Sequence, residues 1–355
     1  MAQNFDMTAQ LAGNFVRFGW YWSINWLAAR EAARHGEPPR YRPTRAIPSY
    51  SVLMEDVIKL LIRDAEAVRE GINPPVEGSP KSFARHLSRV RNMFEDLPDT
   101  MRRRRESETS GAQAFANDEV PDYLKQDFHF QSGGHLSRQS AQLYDVQVET
   151  LFYGVAGAMR RAALRPLAAF MKGKNQRNVA LLDVACGTGR LLREIRLAYP
   201  VIQARGIDLS EAYLEEARRH LSEVRPVTLT AANAEGMPFP DASQDVVATC
   251  YLYHELPPDA RRQVTSEISR VLKPGGLFLF IDSLQLGDRP GWDGLIEAFP
   301  HRFHEPYYDH YTQDDLKSLF EKHELEVEEC MTAFLSKIVV CKKMNERRHF
   351  RRQPF

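Results

Sequence analysis

A chain of 355 residues with 43% apolar and 26% charged side chains has room for one large domain, or a catalytic domain with an accessory one. Its 47 Lys and Arg balance 47 Asp and Glu, so no whole-chain field points to a nucleic acid partner. No run approaches the ~18 apolar residues of a membrane-spanning helix. The 4 cysteines lack both C-x-x-C and metal-ligand spacing and read as reduced thiols.

The start, Met1-Ala-Gln-Asn-Phe-Asp6, has neither the basic nor the apolar region of a secretion signal. The expected location is cytoplasmic, with peripheral contact to a membrane as an option. Residues 11–34 hold three of the four tryptophans, Trp20, Trp22 and Trp26. At helical spacing Phe15, Phe18, Trp22 and Trp26 share one stripe, and Trp20, Ile24 and Leu27 another. Such a helix is buried in a helical domain, lies in a membrane interface or walls a greasy pocket, and all three readings stand.

Glu37-Pro-Pro-Arg-Tyr-Arg-Pro43 reads as a linker. The next stretch, 51–70, reads as an amphipathic helix with Leu53, Val57, Leu60, Leu61 and Val68 on one face, ended by Gly71-Ile-Asn-Pro-Pro75. A short helix is predicted over 81–94. The basic run Arg102-Arg-Arg-Arg105 is a solvated loop or helix face, or else an anionic-lipid contact. Asp127-Phe-His-Phe-Gln-Ser-Gly-Gly-His-Leu-Ser137 then breaks the helical pattern, its glycine pair flanked by His129, Gln131 and His135. One uninterrupted helix is predicted over 137–163, with Val148, Leu151, Phe152, Val155 and Met159 at core spacing and Tyr144-Asp145 near its start.

From about residue 178 strands and helices alternate, the signature of a parallel sheet wound on both faces. The apolar run Asn178-Val-Ala-Leu-Leu ends in Asp183, and Val-Ala-Cys-Gly-Thr-Gly189 leads into a helix. Gly187 and Gly189 let the backbone approach a ligand closely. The next apolar run ends in Asp208, an acid at a second strand tip where ribose hydroxyls are bound in such units. Ser210 is placed to cap the following helix. The turn is not the dinucleotide fingerprint G-x-G-x-x-G: it runs Asp-x-Ala-x-Gly-x-Gly, and Asp183 would repel a phosphate and suit a cationic or amino-bearing ligand. Further strands are predicted at 227–231, 245–252 and 277–281, with 326–330 and 337–341 as a closing antiparallel pair.

These features resemble the class I S-adenosylmethionine-dependent methyltransferases, closest in style to the ubiquinone and menaquinone biosynthesis branch. The resemblance covers about residues 178–285 well. It implies an α/β fold: a doubly wound, mostly parallel seven-stranded Rossmann-like sheet with an α-helical N-terminal region. The expected division is a helical accessory or substrate-capping region at 1–135, the cofactor-binding domain at 136–345 and a basic tail at 346–355.

The resemblance also implies S-adenosylmethionine as cofactor. Gly187 and Gly189 would pass beneath its methionine part, with Ala185 in the same turn. Asp183 would face its ammonium, the competing reading being a turn cap. Asp208 and Leu209 would take the ribose. Asn233 and Ala234, in a segment similar to the family's Asp-Ala-Glu-x-Leu-Pro-Phe, would take adenine beneath Met237. Tyr144 and Tyr251 complete that set. Many such enzymes carry a lid before the first strand; 127–137 is that lid, with His129 and His135 touching substrate, or a structural loop.

His254, in Tyr251-Leu-Tyr-His-Glu-Leu256, stands where relatives face the methyl group. It is either a base or orienting group, or a capping or packed histidine. Tyr253 from the same segment, and Tyr307, Tyr308 and His310 from the aromatic run at 301–310, are the remaining substrate candidates. No metal is expected: His301 and His304 are three apart without a supporting carboxylate set. The activity implied is methyl transfer to a small, hydrophobic acceptor. No nucleic acid partner is expected, and the oligomeric state is open. A protein or RNA acceptor is the alternative, although the Asn/Asp-Pro-Pro-Tyr motif of amino-nitrogen acceptors is replaced by Tyr251-Leu-Tyr-His254. A non-catalytic scaffold comes third.

Overall fold

Sequence runs such as Ala180-Leu-Leu-Asp-Val184 and Leu277-Phe-Leu-Phe-Ile281 are apolar at consecutive positions, so they are stable only where both faces of a strand are covered. In the computed structural model, which describes residues 7–36, 41–75 and 80–345, both faces are covered. Seven strands form one sheet: β1 (Ala180–Val184), β2 (Gln203–Asp208), β3 (Thr228–Ala231), β4 (Gln244–Cys250), β5 (Leu272–Ser283), β6 (Leu325–Ala333) and β7 (Ser336–Lys343). Their order is β3-β2-β1-β4-β5-β7-β6. The first five are parallel, and β7 runs antiparallel to both β5 and β6. Successive residues divide between two cores: Leu181, Val246, Leu279 and Ile338 face one, and Leu182, Val247, Phe280 and Val339 the other. The fold is the doubly wound, mostly parallel seven-stranded sheet expected. Strand order reverses between β1 and β4, and a crevice opens beyond their carboxyl ends.

Twelve helices surround the sheet among the described residues. They are α1 (Met7–Arg34), α2 (Tyr50–Arg69), α3 (Pro80–Glu106), α4 (Arg138–Leu151), α5 (Ala156–Arg161), α6 (Leu164–Met171), α7 (Arg190–Ala198), α8 (Glu211–Leu221), α9 (Pro258–Val271), α10 (Asp293–Arg302), α11 (Tyr308–Gln313) and α12 (Leu316–Lys322). The amphipathic face of α2 joins the core of the sheet through Val57, Leu60 and Leu61. Its Asp64 holds the buried Arg161 guanidinium through two 2.8 Å bonds. A smaller core of Tyr21, Ile24, Met93, Leu143 and Val146 ties α1 and α3 to α4. The N-terminal helices thus pack against helices that follow residue 135.

Three local expectations are corrected. The helix predicted over 137–163 is broken between α4 and α5, where Tyr153 and Gly154 take φ of 51° and 79°. The helix predicted over 81–94 runs from residue 80 to 106, and the basic run 102–105 belongs to its end. There Arg103 donates to the carbonyl of Phe130, Arg105 to that of His35, and Arg102 pairs with Glu106 and Glu108. Finally, α1 is not buried on most sides: Tyr21 and Ile24 point inward, but Phe15, Trp22 and Trp26 are each more than 40% exposed. The first four linker residues, 37–40, and the basic tail at 346–355 lie outside the described residues.

Candidate functional site

The turn after β1 is bent by residues with positive φ. Ala185 (55°) and Gly187 (53°) reverse the chain, and Gly189 (74°) starts α7. The amide of Cys186 donates to the carbonyl of Ile207, 2.8 Å away. Those of Gly187 and Ser210 donate to the two carboxylate oxygens of Asp208, at 2.8 and 2.9 Å. Asp208 therefore pins two strand tips together and retains lone pairs toward the crevice. Gly206 permits this contact, since a Cβ there would come within 2.8 Å of the Cys186 sulfur. The result is a cleft lined by Asp183, Ala185, Gly187, Asp208 and Leu209 among others. Gly189 is not in the lining. Its missing Cβ makes room for Leu221 and Ala217 of α8.

Asp183 is 1% exposed, and neither of its carboxylate oxygens has a hydrogen-bond partner. It is therefore no turn cap. Burial first, and then the Asp208 charge, push its carboxyl well above the usual range. Arg160, another buried residue of the lining, opposes that shift. Its guanidinium stands 5.7 Å from the centre of the Tyr251 ring and 3.8 Å from Glu149. An unpartnered buried carboxylate and a buried guanidinium in one cleft form a receptor for a zwitterion.

At the far end, Ala232, Asn233 and Ala234 line the cleft, and the Asn233 side-chain oxygen accepts from the Glu235 amide at 2.9 Å. Tyr123 and Leu124 close this end, Tyr123 donating to the Glu235 carboxylate at 2.8 Å. Met237 is no lid. It lies in the core below, its amide bonded to Glu267. The glycine-containing segment 127–137 crosses the same rim, and His135 and Leu136 line the cleft beside Tyr144 and Tyr251. Tyr213 of α8 closes over them, 5.5 Å from the ring of Tyr144.

Glu255 forms the polar centre of this side. His135 Nε2 is 2.5 Å from one of its oxygens and His129 Nε2 3.4 Å from the other. Burial alone would lower the His129 pKa, but Glu305 and Glu255 override it and raise it to about 10. For His254 the same contest, with Asp282 at 2.5 Å, ends at about 9. His254 is therefore protonated near neutrality and sits behind Glu255, outside the cleft lining. In that state it is a poor base, which favours the packed histidine of the two readings.

Three substrate candidates also fall elsewhere. Tyr253 is fully buried against Phe280 and Phe320, with its hydroxyl on Thr265. Tyr308 is packed in the core with its hydroxyl on Ser283. The His310 side chain is about half exposed, beside Arg261. Tyr253 and Tyr308 come from segments that reach the rim, but their side chains turn into the core, whereas that of His310 turns out to solvent. Tyr307 stays near, edge-on to Tyr123 at 6.3 Å and bonded to Gln126. Sequence reasoning missed Arg160 and Tyr213, which no motif marks.

Residues 181–276 match the model of the methyltransferase domain family. The chain carries a class I methyltransferase domain. Among curated relatives, the ubiquinone/menaquinone biosynthesis C-methyltransferase UbiE of Methylobacterium nodulans is 30% identical over 168 residues, 46% of this chain and 64% of that protein. The demethylmenaquinone methyltransferase of Symbiobacterium thermophilum is 39% identical over 108 residues, 29% of this chain and 42% of that protein. The chain thus spans less than two thirds of either relative. A solved S-adenosylmethionine-dependent methyltransferase from Aquifex aeolicus is 18% identical, with a TM-score of 0.39, over 51% of this chain and 89% of that one.

The residues of the methyltransferase domain fit the cofactor of its class, S-adenosylmethionine. Asp183 and Arg160 offer opposite charges to the ammonium and carboxylate of an amino acid, Asp208 has lone pairs for a diol, and Ala232, Asn233 and Ala234 line the end left for a base. Among the described residues no helix is long and apolar enough to cross a membrane.

Proposed function

We propose that the protein transfers a methyl group from S-adenosylmethionine to a small, hydrophobic acceptor of quinone-like type. The observation that carries the reading is Asp183, buried without a partner at the tip of β1 beside Arg160. When bound, the cofactor supplies an electrophilic methyl group on a sulfonium. The chain's own part is positioning, from which much of such a rate comes. Asp183 and Arg160 hold the amino acid end, Asp208 the sugar, and Asn233 and Ala234 the base.

The segment 127–137 and Tyr213 exclude water. Leu136, Tyr144, Tyr251 and Leu252 give the acceptor an apolar wall, and the Glu255–His135 pair orients an oxygen on it. The acceptor class is supported by this wall and by the similarity to methyltransferases named for ubiquinone and menaquinone biosynthesis. The helices before residue 136 act in this reading as the region that shapes the acceptor side.

The test is incubation with methyl-labelled cofactor and a total metabolite extract, followed by mass spectrometry of both phases. Label is expected in an organic-soluble aromatic product. Label confined to polar water-soluble species, or to protein or RNA, overturns the acceptor class.

A further inference from the structure

Three histidines from distant parts of the chain present the same ring nitrogen to one carboxylate. Nε2 of His135 lies 2.5 Å, that of His129 3.4 Å and that of His254 3.7 Å from oxygens of Glu255. The opposite nitrogen of each ring has an oxygen beside it. Nδ1 of His254 is 2.5 Å from Asp282, that of His129 3.0 Å from Glu305, and that of His135 3.4 Å from the Tyr213 hydroxyl. An imidazole oriented through one nitrogen by an outer oxygen, its other nitrogen converging with a carboxylate, is the usual build of a metal site.

Size agrees as well. One donor atom each from His129, His135 and Glu255 lie within 4.8 Å of one another. Ligands bound at about 2.1 Å span up to about 4.2 Å, so small side-chain rotations close the set. Glu305 is 4% exposed and lies 3.0 Å from Nδ1 of His129, so this buried carboxylate is paired with the ring that it orients.

We propose that His129, His135 and Glu255 bind a divalent transition-metal cation at the acceptor side of the cleft, with Glu305 orienting His129 and Asp282 orienting His254 behind them. Two imidazoles and a carboxylate suit Zn²⁺, Mn²⁺ or Fe²⁺ and leave positions open. Because His135 and Glu255 line the cleft, those positions face it and would take an oxygen of the acceptor. This selects, among hydrophobic acceptors, those carrying a hydroxyl or carbonyl oxygen next to the methylated atom. The inference rests on the methyl-transfer reading only for what the cation does, and its test needs no turnover.

The full chain, stripped with a chelator, is dialysed against Zn²⁺, Mn²⁺ or Co²⁺ and its metal content measured. About one equivalent of at least one ion is expected to be retained. His129→Ala with His135→Ala should release it, and Glu305→Gln should weaken binding about tenfold or more. Because the double variant risks misfolding, a wild-type crystal soaked in Zn²⁺ gives a second reading. An anomalous peak about 2.1 Å from Nε2 of His129 and His135 supports the site. No retained metal, equal retention by the folded variants, or a peak elsewhere overturns it. A failure here leaves the labelled-methyl assay untouched, since that assay reads product and this one reads metal.

Discussion

At the scale of single residues, Asp183 combines a cost in the free protein with a use in the complex. Its carboxyl is buried without a partner and held well above the usual range, by burial first and by Asp208 next. A bound ammonium would stabilise the ionised form and draw that value down. Binding should therefore release a proton, and affinity should rise with pH as long as the free-protein carboxyl is protonated. The window to measure lies above the ordinary carboxylate range and below the loss of the ligand's own ammonium near pH 7.7–8.0. Isothermal titration in buffers of different ionisation enthalpy reads the proton directly. Asp183→Asn should abolish proton release, weaken binding about tenfold or more, and leave the thermal midpoint of the free protein no lower. A variant with unchanged affinity and unchanged proton release would remove Asp183 from the cofactor site.

What the sequence reveals of the site divides along the same lines. Asp183, Gly187, Asp208 and Asn233 lie at successive strand tips. Once strands alternate with helices, local order along the chain places them at one crevice. Arg160 and Tyr213 reach it from α5 and α8, and which face of a helix turns inward depends on what packs against it. The histidine–glutamate cluster is harder still to read, because His129 and Glu255 are 126 positions apart and share no motif.

At the scale of elements, the break between α4 and α5 shows how periodicity misleads. Val148, Leu151, Phe152, Val155 and Met159 keep helical spacing straight through it, so nothing in the apolar pattern marks an end. The deciding signal is a single residue, Gly154, at φ 79°. A Cβ there would meet the Tyr21 ring at 2.7 Å and the Arg17 carbonyl at 3.1 Å. The Arg17 side chain in turn donates to the Gly154 carbonyl at 2.9 Å. The kink thus seats α1, while α5 brings Arg160 to the cleft. Gly154→Ala meets both backbone strain and a clash, and should destabilise the protein by about 1–3 kcal/mol in denaturant titration. Protection of α1 amides from hydrogen exchange should fall with it. An unchanged midpoint would mean that α1 is not anchored at this point.

At the scale of the whole molecule, α1 carries a surface that the other described residues leave uncovered. Phe15, Trp22 and Trp26 recur at i, i+7 and i+11 on one stripe, and all three are more than 40% exposed. The Arg30 guanidinium stacks 4.9 Å over the Trp26 ring, and the Arg34 side chain is two-thirds exposed at the same helix end. Tryptophans interleaved with arginines fit the headgroup boundary of an anionic bilayer, where the ring is half apolar and the cation meets lipid phosphate. A hydrophobic acceptor of the kind proposed would partition into that layer, so such a face would bring the cleft to its substrate. The chain should cosediment with vesicles containing anionic lipid, less so at high salt. The pair Trp22→Ser and Trp26→Ser should weaken this at least tenfold by removing half-exposed apolar area, with cofactor affinity unchanged because neither residue lines the cleft. Vesicle binding unaffected by the pair, or a wild-type dimer that the pair converts to monomer, would show that the face serves something other than lipid.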